Sequence, residues 1–326
     1  MKVCIYGAGA IGGFIGARLA ANTTAQVGAV ARGATLQSLR EHGWRLRQGG
    51  QLVTGPVNVT ADAAALGPQD LVVIAVKGPA LAAVADQIAP LLGPHTVVLP
   101  AMNGVPWWFG RGIAAIGDAP LESVDPGGRI AAKIPHEQVL GCVVHAATTS
   151  PEPGLVEHKM GQGLIIGEPG GGESARAREV GALLTQAGFD VTVSASVRQD
   201  IWYKLWGNMT MNPVSAITGA TVDRVLDDPL LLTFCANAMR EASAIGERIG
   251  CAIAQTPEDR QQVTRKLGAF KTSMLQDVEA GRGIELDALV GAVREIAQRL
   301  QLPTPNIDAL LGMTRLFGRV HGLYPD

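Results

Sequence analysis

The stretch Lys2–Gly12, K-V-C-I-Y-G-A-G-A-I-G, decides the fold of this chain. Its first half is an apolar run of strand length, its second half has the spacing G-x-G-x-x-G, and Phe14–Ala21 continues with a helical pattern. This order of strand, glycines and helix is typical of a dinucleotide-binding loop, where the first amides of the helix face a pyrophosphate. A plain glycine-rich turn is the alternative, because 41 of the 326 residues are glycine. The position directly after the first strand favours the dinucleotide loop.

Arg32 indicates which nucleotide this loop binds. A second strand is predicted over Gln26–Ala31, and Arg32 follows it, twenty residues after Gly12. NAD sites usually place a carboxylate here for the ribose 2′-hydroxyl, whereas NADP sites place an arginine for the 2′-phosphate. The chain has no Asp or Glu before Glu41. NADP is therefore favoured, with a solvated surface arginine as the alternative.

Two further apolar runs, Asp70–Val76 and Thr96–Ala101, predict strands of a parallel sheet that is covered on both faces. Lys77 follows the first run directly, and Asn103 follows the second closely. Residues just past the carboxyl ends of such strands line the ligand crevice of an open α/β sheet. Lys77 and Asn103 are therefore candidate binding residues, although an asparagine before a glycine is also common in turns.

The other patterns of the N-terminal half predict smaller elements around this sheet. Trp44–Thr54 alternates around two glycines and predicts a peripheral hairpin. Trp107 and Trp108 are predicted to begin a helix and are candidate walls of a pocket, although adjacent aromatic residues more often pack into a core or an interface. Gly110–Pro135 predicts a long loop or a lid. The remaining predicted elements are the strands Val139–Thr149, Leu155–His158, Leu164–Gly167 and Val191–Ser194, the last of which closes the sheet, and the helices Pro79–Leu92 and Ser174–Gly188. Residues 1–195 are thus predicted to form an α/β Rossmann domain with a doubly wound parallel sheet.

From residue 196 onward the apolar periodicity is helical. After a first helix that starts near Val197, the predicted helices are Asp227–Ile249, Pro257–Phe270, Glu285–Leu300 and Ile307–Val320. Residues 196–326 are therefore predicted to form an all-α C-terminal domain that follows the Rossmann domain.

The first of these helices contains a row of three polar residues. Lys204, Asn208 and Asn212 recur every four residues, so they share one helix face. A solvated surface face is the alternative, but asparagine is a poor helix former, and two on one face of an aromatic-rich helix favour a row that binds a ligand. Pro213 follows directly and predicts a kink or a break after Asn212.

A second polar segment, K-T-S-M-L-Q-D-V-E-A-G-R-G-I-E-L-D, lies between the predicted helices. Its spacing alone favours structural roles, with Ser273 as the N-cap of a short helix through Glu279 and Glu285 as an acid that opens the next helix. The spacing by itself therefore favours roles at helix ends for Ser273 and Glu285 over roles in binding.

Composition excludes several other classes of protein. The chain is 47% hydrophobic, 17% charged and has a net charge of −2, which suits a globular enzyme and gives no case for nucleic acid or an anionic membrane surface. The four cysteines have no C-x-x-C spacing, so we expect reduced thiols and no metal site. No signal peptide and no membrane-spanning stretch is evident, and the sequence predicts a cytoplasmic protein.

Taken together, these motifs resemble the ketopantoate reductase family over nearly the whole chain. The resemblance is carried by G-A-G-A-I-G at Gly7, Lys77, Asn103-Gly104, K-x-x-x-N-x-x-x-N-P at Lys204, and S-M-L-Q-D at Ser273, twelve residues before Glu285. The last two are the most specific, because the glycine pattern occurs in many unrelated enzymes. The resemblance implies an NADPH-dependent 2-dehydropantoate 2-reductase in pantothenate synthesis.

The resemblance also assigns roles to residues. Lys204 is similar to the family's catalytic lysine, and the substrate-binding residues would be Asn103, Asn208, Asn212 and Ser273. The cofactor-binding residues would be Gly7, Ala8, Gly9, Ala10, Ile11, Gly12, Arg32, Lys77, Asn103, Ala147 and Glu285. The chain departs from some members in the segment Ala216–Val222, which lacks a further asparagine and offers only Thr218 and Thr221 as hydroxyl side chains. The loop Gly110–Pro135 is also long for the family. Both departures concern the selectivity of the pocket for the substrate side chain and not the type of reaction.

The expected chemistry is hydride transfer to the C2 carbon of a 2-oxo acid. Negative charge then develops on the ketone oxygen, and the Lys204 ammonium would polarise this carbonyl and donate the proton. Two alternatives remain open: a related NADPH-dependent reductase of another 2-oxo acid or of an imine, and a non-catalytic protein that senses NADPH. A homodimer through the helical domain is compatible with the sequence.

Overall fold

The computed structural model describes residues 1–325, and the contacts group the chain into two units. Unit 1 contains Met1–Met102 and Arg129–Asp200. Unit 2 contains Asn103–Gly128 and the chain from Ile201 onward. The segment 103–128 thus groups with the helices, which its glycine- and proline-rich sequence did not indicate. The division of the chain into domains at residues 195 and 196 stays a prediction.

The first layer of unit 1 is a parallel sheet of five strands, β1 (Lys2–Tyr6), β2 (Gln26–Val30), β5 (Asn58–Thr60), β6 (Gln69–Ile74) and β7 (Leu92–Pro100). Their order in the sheet is β5-β2-β1-β6-β7. In the register, Val3 of β1 lies between Val27 of β2 and Leu71 of β6. These central strands are apolar because both of their faces are buried. The predicted Rossmann sheet is confirmed.

Three helices accompany this sheet: α1 (Ala10–Asn22), α2 (Gly33–His42) and α3 (Leu81–Gln87). The strand order reverses beside β1, which makes the carboxyl end of β1 the topological switch point where such sheets bind ligands. The predicted helix Pro79–Leu92 is wrong in its length. Single turns of 3-10 helix over Gly78–Ala80 and Ala89–Leu91 flank α3, and each contains a proline that donates no helical hydrogen bond.

The second layer of unit 1 is a separate mixed sheet. Its elements are β3 (Trp44–Gln48), β4 (Gln51–Gly55), β8 (Gly141–Glu152), β9 (Leu155–Gly167) and β10 (Asp190–Ser194), with the helix α4 (Ala175–Gln186). The two strands predicted within residues 155–167 are one continuous strand, because the pairing of β8 with β9 shifts register and accommodates Gly161 at φ +71°. The last strand pairs with β9, so it does not close the first sheet as expected.

Strand β3 of the hairpin β3–β4 is part of the core of unit 1, whereas β4 is the exposed edge strand, so the expectation that the hairpin is peripheral is wrong for β3. Strand β3 pairs with β9, and the indole ring of Trp44 is buried against Gly16 of α1. A Cβ atom at Gly16 would lie 2.6 Å from ring atoms of Trp44, so only glycine permits this contact. Helix α1 therefore packs between the two sheets, with β1 and β2 on one side and the hairpin on the other.

Unit 2 contains only helices and turns among its described residues. The helices are α5 (Val197–Thr218), which begins in unit 1, α6 (Val222–Asp227), α7 (Pro229–Arg248), α8 (Pro257–Arg265), α9 (Ser273–Glu279), α10 (Ala292–Arg299) and α11 (Pro305–Val320). The all-α prediction is confirmed, although α8 ends five residues before the predicted end at Phe270. The predicted break at Pro213 is wrong, since α5 continues through this residue to Thr218. Within residues 1–325, no helix is both long and apolar enough to cross a membrane.

The segment 103–128 is an extended series of turns that packs on these helices. No helix begins at Trp107 or Trp108, and both indole rings are buried, so the predicted helix at this point is wrong. The ring of Phe109 stacks on that of Trp202 in α5, with 5.8 Å between the ring centroids. The backbone amide of Ser123 donates to the carboxylate of Glu295 in α10 at 2.8 Å. These contacts fix the segment to unit 2.

Candidate active site

The glycine loop after β1 is shaped by two close backbone approaches. Gly7 has φ +97°, and a Cβ atom there would lie 2.6 Å from a methyl carbon of Val76. A Cβ atom at Gly12 would lie 2.0 Å from the carbonyl oxygen of Gly7. The amide of Gly7 also donates to the carbonyl of Val30 at 3.1 Å, which ties the loop to β2. The first and third glycines are therefore required by the turn itself.

Gly9 is the glycine that leaves room for a ligand. It is the N-cap of α1, and a Cβ atom there would meet no heavy atom within 4 Å. No acidic residue lies in the first turn of α1, so no carboxylate of that turn offsets the positive end of the helix dipole. In dinucleotide sites the second glycine lets the backbone approach the pyrophosphate. Residues 7–12 of this chain fit such a group.

We expect Gly9→Ala to weaken NADPH binding roughly tenfold, because the added methyl group would separate the phosphates from a helix end worth about 1–2 kcal/mol. The free energy of unfolding should change by less than about 0.5 kcal/mol, since the methyl group meets no protein atom. A titration of nucleotide fluorescence measures the first quantity and denaturant unfolding the second. Gly170→Ala is the matched control, because Gly170 is also open and has no positive φ. Equal binding by the two variants would contradict the assignment of the loop.

Two further predicted cofactor residues follow strands that flank β1. Arg32 follows β2 and is the N-cap of α2, and its exposed guanidinium donates to the Gln87 side chain at 2.8 Å. The hydroxyl of Tyr6 donates to the same amide oxygen at 3.3 Å. Burial raises the pKa of Tyr6, and the nearby charge of Arg32 partly opposes this. Lys77 follows β6, so both cations lie at the carboxyl edge of the sheet, the edge at which sheets of this kind bind ligands.

Ala147 is the predicted cofactor residue that lies away from this sheet. It belongs to β8 in the second layer and is exposed, opposite Met160 of β9. The register of the β8–β9 pair shifts on both sides of Ala147. Its role in binding stays a prediction.

In unit 2, the side chains of Lys204 and Asn103 are hydrogen-bonded to each other. The ammonium of Lys204 donates a hydrogen bond of 2.7 Å to the side-chain oxygen of Asn103, although the two residues are 101 positions apart in the chain. Both had been candidates on separate grounds, one as part of a helical row and one as a residue after a strand. Asn208 and Asn212 follow Lys204 on the same face of α5 and are half-buried and buried, respectively.

Asn103 is held by the backbone of the next two residues. Gly104 has φ +84°, and a Cβ atom there would lie 2.6 Å from the carbonyl oxygen of Ala288. That same oxygen accepts a 2.8 Å hydrogen bond from the amide of Val105. Ala288 belongs to a π-helical turn, Asp287–Gly291, a feature often found at functional sites. The sequence does not indicate Ala288 as a site residue, because its contribution is a backbone oxygen that no residue type signals.

Ser273 lies beside the other end of the row. The side-chain amide of Asn212 donates to the Ser273 hydroxyl at 3.4 Å, and Ser273 is exposed. The capping role expected from spacing is wrong for Ser273, since Thr272 is the N-cap of α9 and its hydroxyl accepts from the amide of Leu275 at 3.2 Å. The Ser273 hydroxyl is therefore not committed to a cap. Glu285 is half-buried and stands just before the π-helical turn.

The glycine loop of unit 1 and the lysine–asparagine row of unit 2 define a class of protein, the pyridine-nucleotide-dependent oxidoreductases with a Rossmann domain. Two family models match the chain, "Ketopantoate reductase PanE/ApbA" over residues 3–171 and "Ketopantoate reductase PanE/ApbA C terminal" over residues 196–317. Together they match most of the sequence. The chain therefore belongs to the ketopantoate reductase family, as the motifs predicted.

Individual relatives agree with this assignment. The 2-dehydropantoate 2-reductase of Mesorhizobium japonicum is 42% identical over 99% of this chain and 100% of its own length. A solved structure from Ralstonia solanacearum MolK2, provisionally described as a ketopantoate reductase, is 55% identical, has a TM-score of 0.94 and covers 99% of each chain. D-mandelate dehydrogenase, solved with NADH and anilino(oxo)acetate, shares the fold at a TM-score of 0.84 and 20% identity, over 99% of this chain and 100% of its own.

Proposed function

We propose that this protein catalyses the NADPH-dependent reduction of 2-dehydropantoate (ketopantoate) to (R)-pantoate, a step of pantothenate synthesis. The observation that carries the proposal is the 2.7 Å hydrogen bond between Lys204 and Asn103 at the head of the row that continues with Asn208 and Asn212. The 2-dehydropantoate 2-reductase at 42% identity over its whole length supports the choice of substrate.

The proposed mechanism centres on Lys204. Bound NADPH would supply the hydride that adds to the C2 carbon of the 2-oxo acid. As negative charge develops on the ketone oxygen, the Lys204 ammonium polarises the carbonyl and then transfers a proton to this oxygen. Asn103 accepts one ammonium hydrogen and so fixes where the remaining hydrogens point.

The substrate is assigned to the polar groups that continue from Lys204. We propose that Asn208 and Asn212 hold the hydroxyl and carboxylate groups of the substrate, and that the exposed hydroxyl of Ser273 donates to the carboxylate. The 3.4 Å contact between Asn212 and Ser273 supports a joint role for these two residues. The cofactor is assigned to the glycine loop, Arg32, Lys77, Asn103, Ala147 and Glu285.

The choice of NADPH over NADH rests on Arg32. The fold alone does not select the nucleotide, because D-mandelate dehydrogenase with the same fold was solved with NADH. In this chain the residue at the N-cap of α2 is an exposed arginine, and no Asp or Glu precedes Glu41. A cation at this position suits a 2′-phosphate and offers no acceptor for a 2′-hydroxyl.

Reduced nicotinamide absorbance gives the direct test. Ketopantoate with NADPH is compared with ketopantoate and NADH, and with 2-oxoisovalerate, which lacks the hydroxymethyl group, and NADPH. We expect turnover of ketopantoate with NADPH to exceed both other reactions about tenfold or more in kcat/KM, because a site that hydrogen-bonds a substrate hydroxyl rejects the analogue without it. NADPH binding without turnover of any 2-oxo acid would contradict the proposal and favour a protein that senses the nucleotide.

A reductase of another 2-oxo acid is the second candidate, and the segment Ala216–Val222, which begins in the last turn of α5, favours it. Here the Thr218 hydroxyl donates to the carbonyl of Val214 at 2.7 Å, and Val222 is fully buried. Faster turnover of 2-oxoisovalerate than of ketopantoate would select this candidate. The cytoplasmic location and a homodimer stay predictions.

A further inference from the structure

Asp287 is an acidic residue of the segment Ser273–Asp287 that the proposed reaction does not use. It begins the π-helical turn Asp287–Gly291, two residues after Glu285. Its side-chain oxygen accepts a hydrogen bond from the hydroxyl of Tyr324. A carboxylate two residues from a proposed cofactor residue is therefore tied to the C-terminal end of the described chain.

The residues Leu323 and Tyr324, here called the C-terminal clasp, are firmly placed. The carbonyl of Leu323 accepts from the amide of Ile284 at 2.9 Å, and its amide donates to the carbonyl of Gly318 in α11 at 2.7 Å. A Cβ atom at Gly318 would lie 2.7 Å from the Cβ atom of Tyr324, so the tyrosine packs directly on the helix backbone. The clasp thus holds the chain on both sides of Glu285, through Ile284 and through Asp287.

Continuous contacts lead from the clasp to Lys204. Asp287 precedes Ala288, whose carbonyl accepts from the amide of Val105 at 2.8 Å and contacts Gly104 so closely that a side chain does not fit there. Asn103, the preceding residue, accepts the 2.7 Å hydrogen bond from Lys204. A shift of the π-helical turn would therefore move the oxygen that orients the ammonium.

We propose that the hydrogen bond from Tyr324 to Asp287 positions Asn103, and through it Lys204, for polarisation of the substrate carbonyl. Tyr324 and Asp287 are positioning residues in this scheme and contact neither substrate nor cofactor. The inference rests on the proposed function, because it assumes that Lys204 acts on a carbonyl.

The chemistry of the pair suits a permanent contact. Burial raises the pKa of Tyr324, and the adjacent carboxylate of Asp287 raises it further, so the hydroxyl keeps its hydrogen and remains a donor at neutral pH. Burial also raises the pKa of Asp287, while the hydrogen bond from Tyr324 opposes this change. Because the acceptor is a carboxylate, this hydrogen bond contributes more than one between two neutral groups.

The decisive experiment is a double-mutant cycle between Tyr324→Phe and Asn103→Ala, measured in full steady-state kinetics with NADPH and ketopantoate. Tyr324→Phe removes only the hydroxyl. We expect it to lower kcat roughly five- to tenfold with the KM for ketopantoate changed less than about twofold, since small misplacements of a reacting group cost this much or more. In the Asn103→Ala background the same change should have no further effect, because the residue through which it acts is gone.

Controls separate positioning from general loosening of unit 2. Asp308→Asn weakens the 2.7 Å contact of Arg294 with Asp308 near the other end of α11 and should leave kcat unchanged. Should Tyr324→Phe fold poorly, Asp287→Asn tests the same contact and should give the same fall in kcat. Unfolding midpoints of all variants show whether each is folded at the assay temperature.

Three results would overturn the inference. An unchanged kcat in folded Tyr324→Phe and Asp287→Asn would show that the contact does not position Lys204. If Tyr324→Phe lowered kcat equally in the presence and absence of the Asn103 side chain, the role of Tyr324 would be purely structural. If Asn103→Ala alone left kcat unchanged, Asn103 would have no role in the proposed mechanism, and the inference would fail for that reason. The fault would then lie in the proposed function and not in the contact between Tyr324 and Asp287.

Discussion

Lys204→Ala is expected to lower kcat at least about 100-fold, because it removes both the cation that stabilises the ketone oxygen and the proton donor. The hydrogen bond to Asn103 places the ammonium at a fixed point, and no other residue of the row from Lys204 to Asn212 carries a charge. The loss should fall on kcat more than on KM, since the interaction strengthens as charge develops in the transition state. Initial rates over a range of ketopantoate concentrations separate the two constants.

Two comparisons make this result specific to Lys204. Lys266→Ala removes a lysine from the exposed end of α8 in the same unit and should change kcat less than about twofold. NADPH binding by Lys204→Ala should stay close to that of the unsubstituted protein, because Lys204 is not among the residues assigned to the cofactor. A kcat within about threefold of the unsubstituted value would exclude Lys204 as the general acid.

The central sheet could be predicted because its strands are buried on both faces. β1, β2 and β6 have continuous apolar runs, and the glycine pattern fixed the order of strand, loop and helix. The second sheet was harder to predict. Gly161 and Gly163 interrupt the apolar pattern of β9, and the hairpin at Trp44 has a turn that any peripheral hairpin would also have. The burial of Trp44 depends on its contact with Gly16, a partner that no local sequence pattern reveals.

The residues of the candidate site were named from the sequence, but several of their contacts were not. The spacing of Lys204, Asn208 and Asn212 predicts a shared face because it depends on local helix geometry. The contact of Lys204 with Asn103 spans 101 positions and depends on how segment 103–128 packs. Thr272 replaces Ser273 as the cap of α9 because adjacent hydroxyl residues are equally good caps and sequence cannot choose between them.

Arg32→Ala is the second substitution with a large expected effect, and it tests the nucleotide rather than the chemistry. We expect kcat/KM for NADPH to fall about 30- to 100-fold, because a hydrogen bond to a charged group contributes roughly 1.5–3 kcal/mol. The value for NADH should change less than about threefold, since NADH has no 2′-phosphate for Arg32 to bind. The ratio of the two kcat/KM values is the quantity to compare. Arg40→Ala is the matched control, because Arg40 is an exposed arginine of the same helix, α2.

The role of Arg32 follows from whether Arg32→Ala lowers kcat/KM for NADPH alone or for both nucleotides. Its guanidinium donates to Gln87, which also accepts from the hydroxyl of Tyr6, so Arg32 has a structural partner within unit 1. A loss confined to NADPH would show that the charge is used for the 2′-phosphate. An equal loss with NADPH and NADH would instead show that Arg32 supports the shape of the loop through Gln87, and Gln87→Ala should then cause the same equal loss. In that case the absence of an acid before Glu41 would no longer select between the two nucleotides.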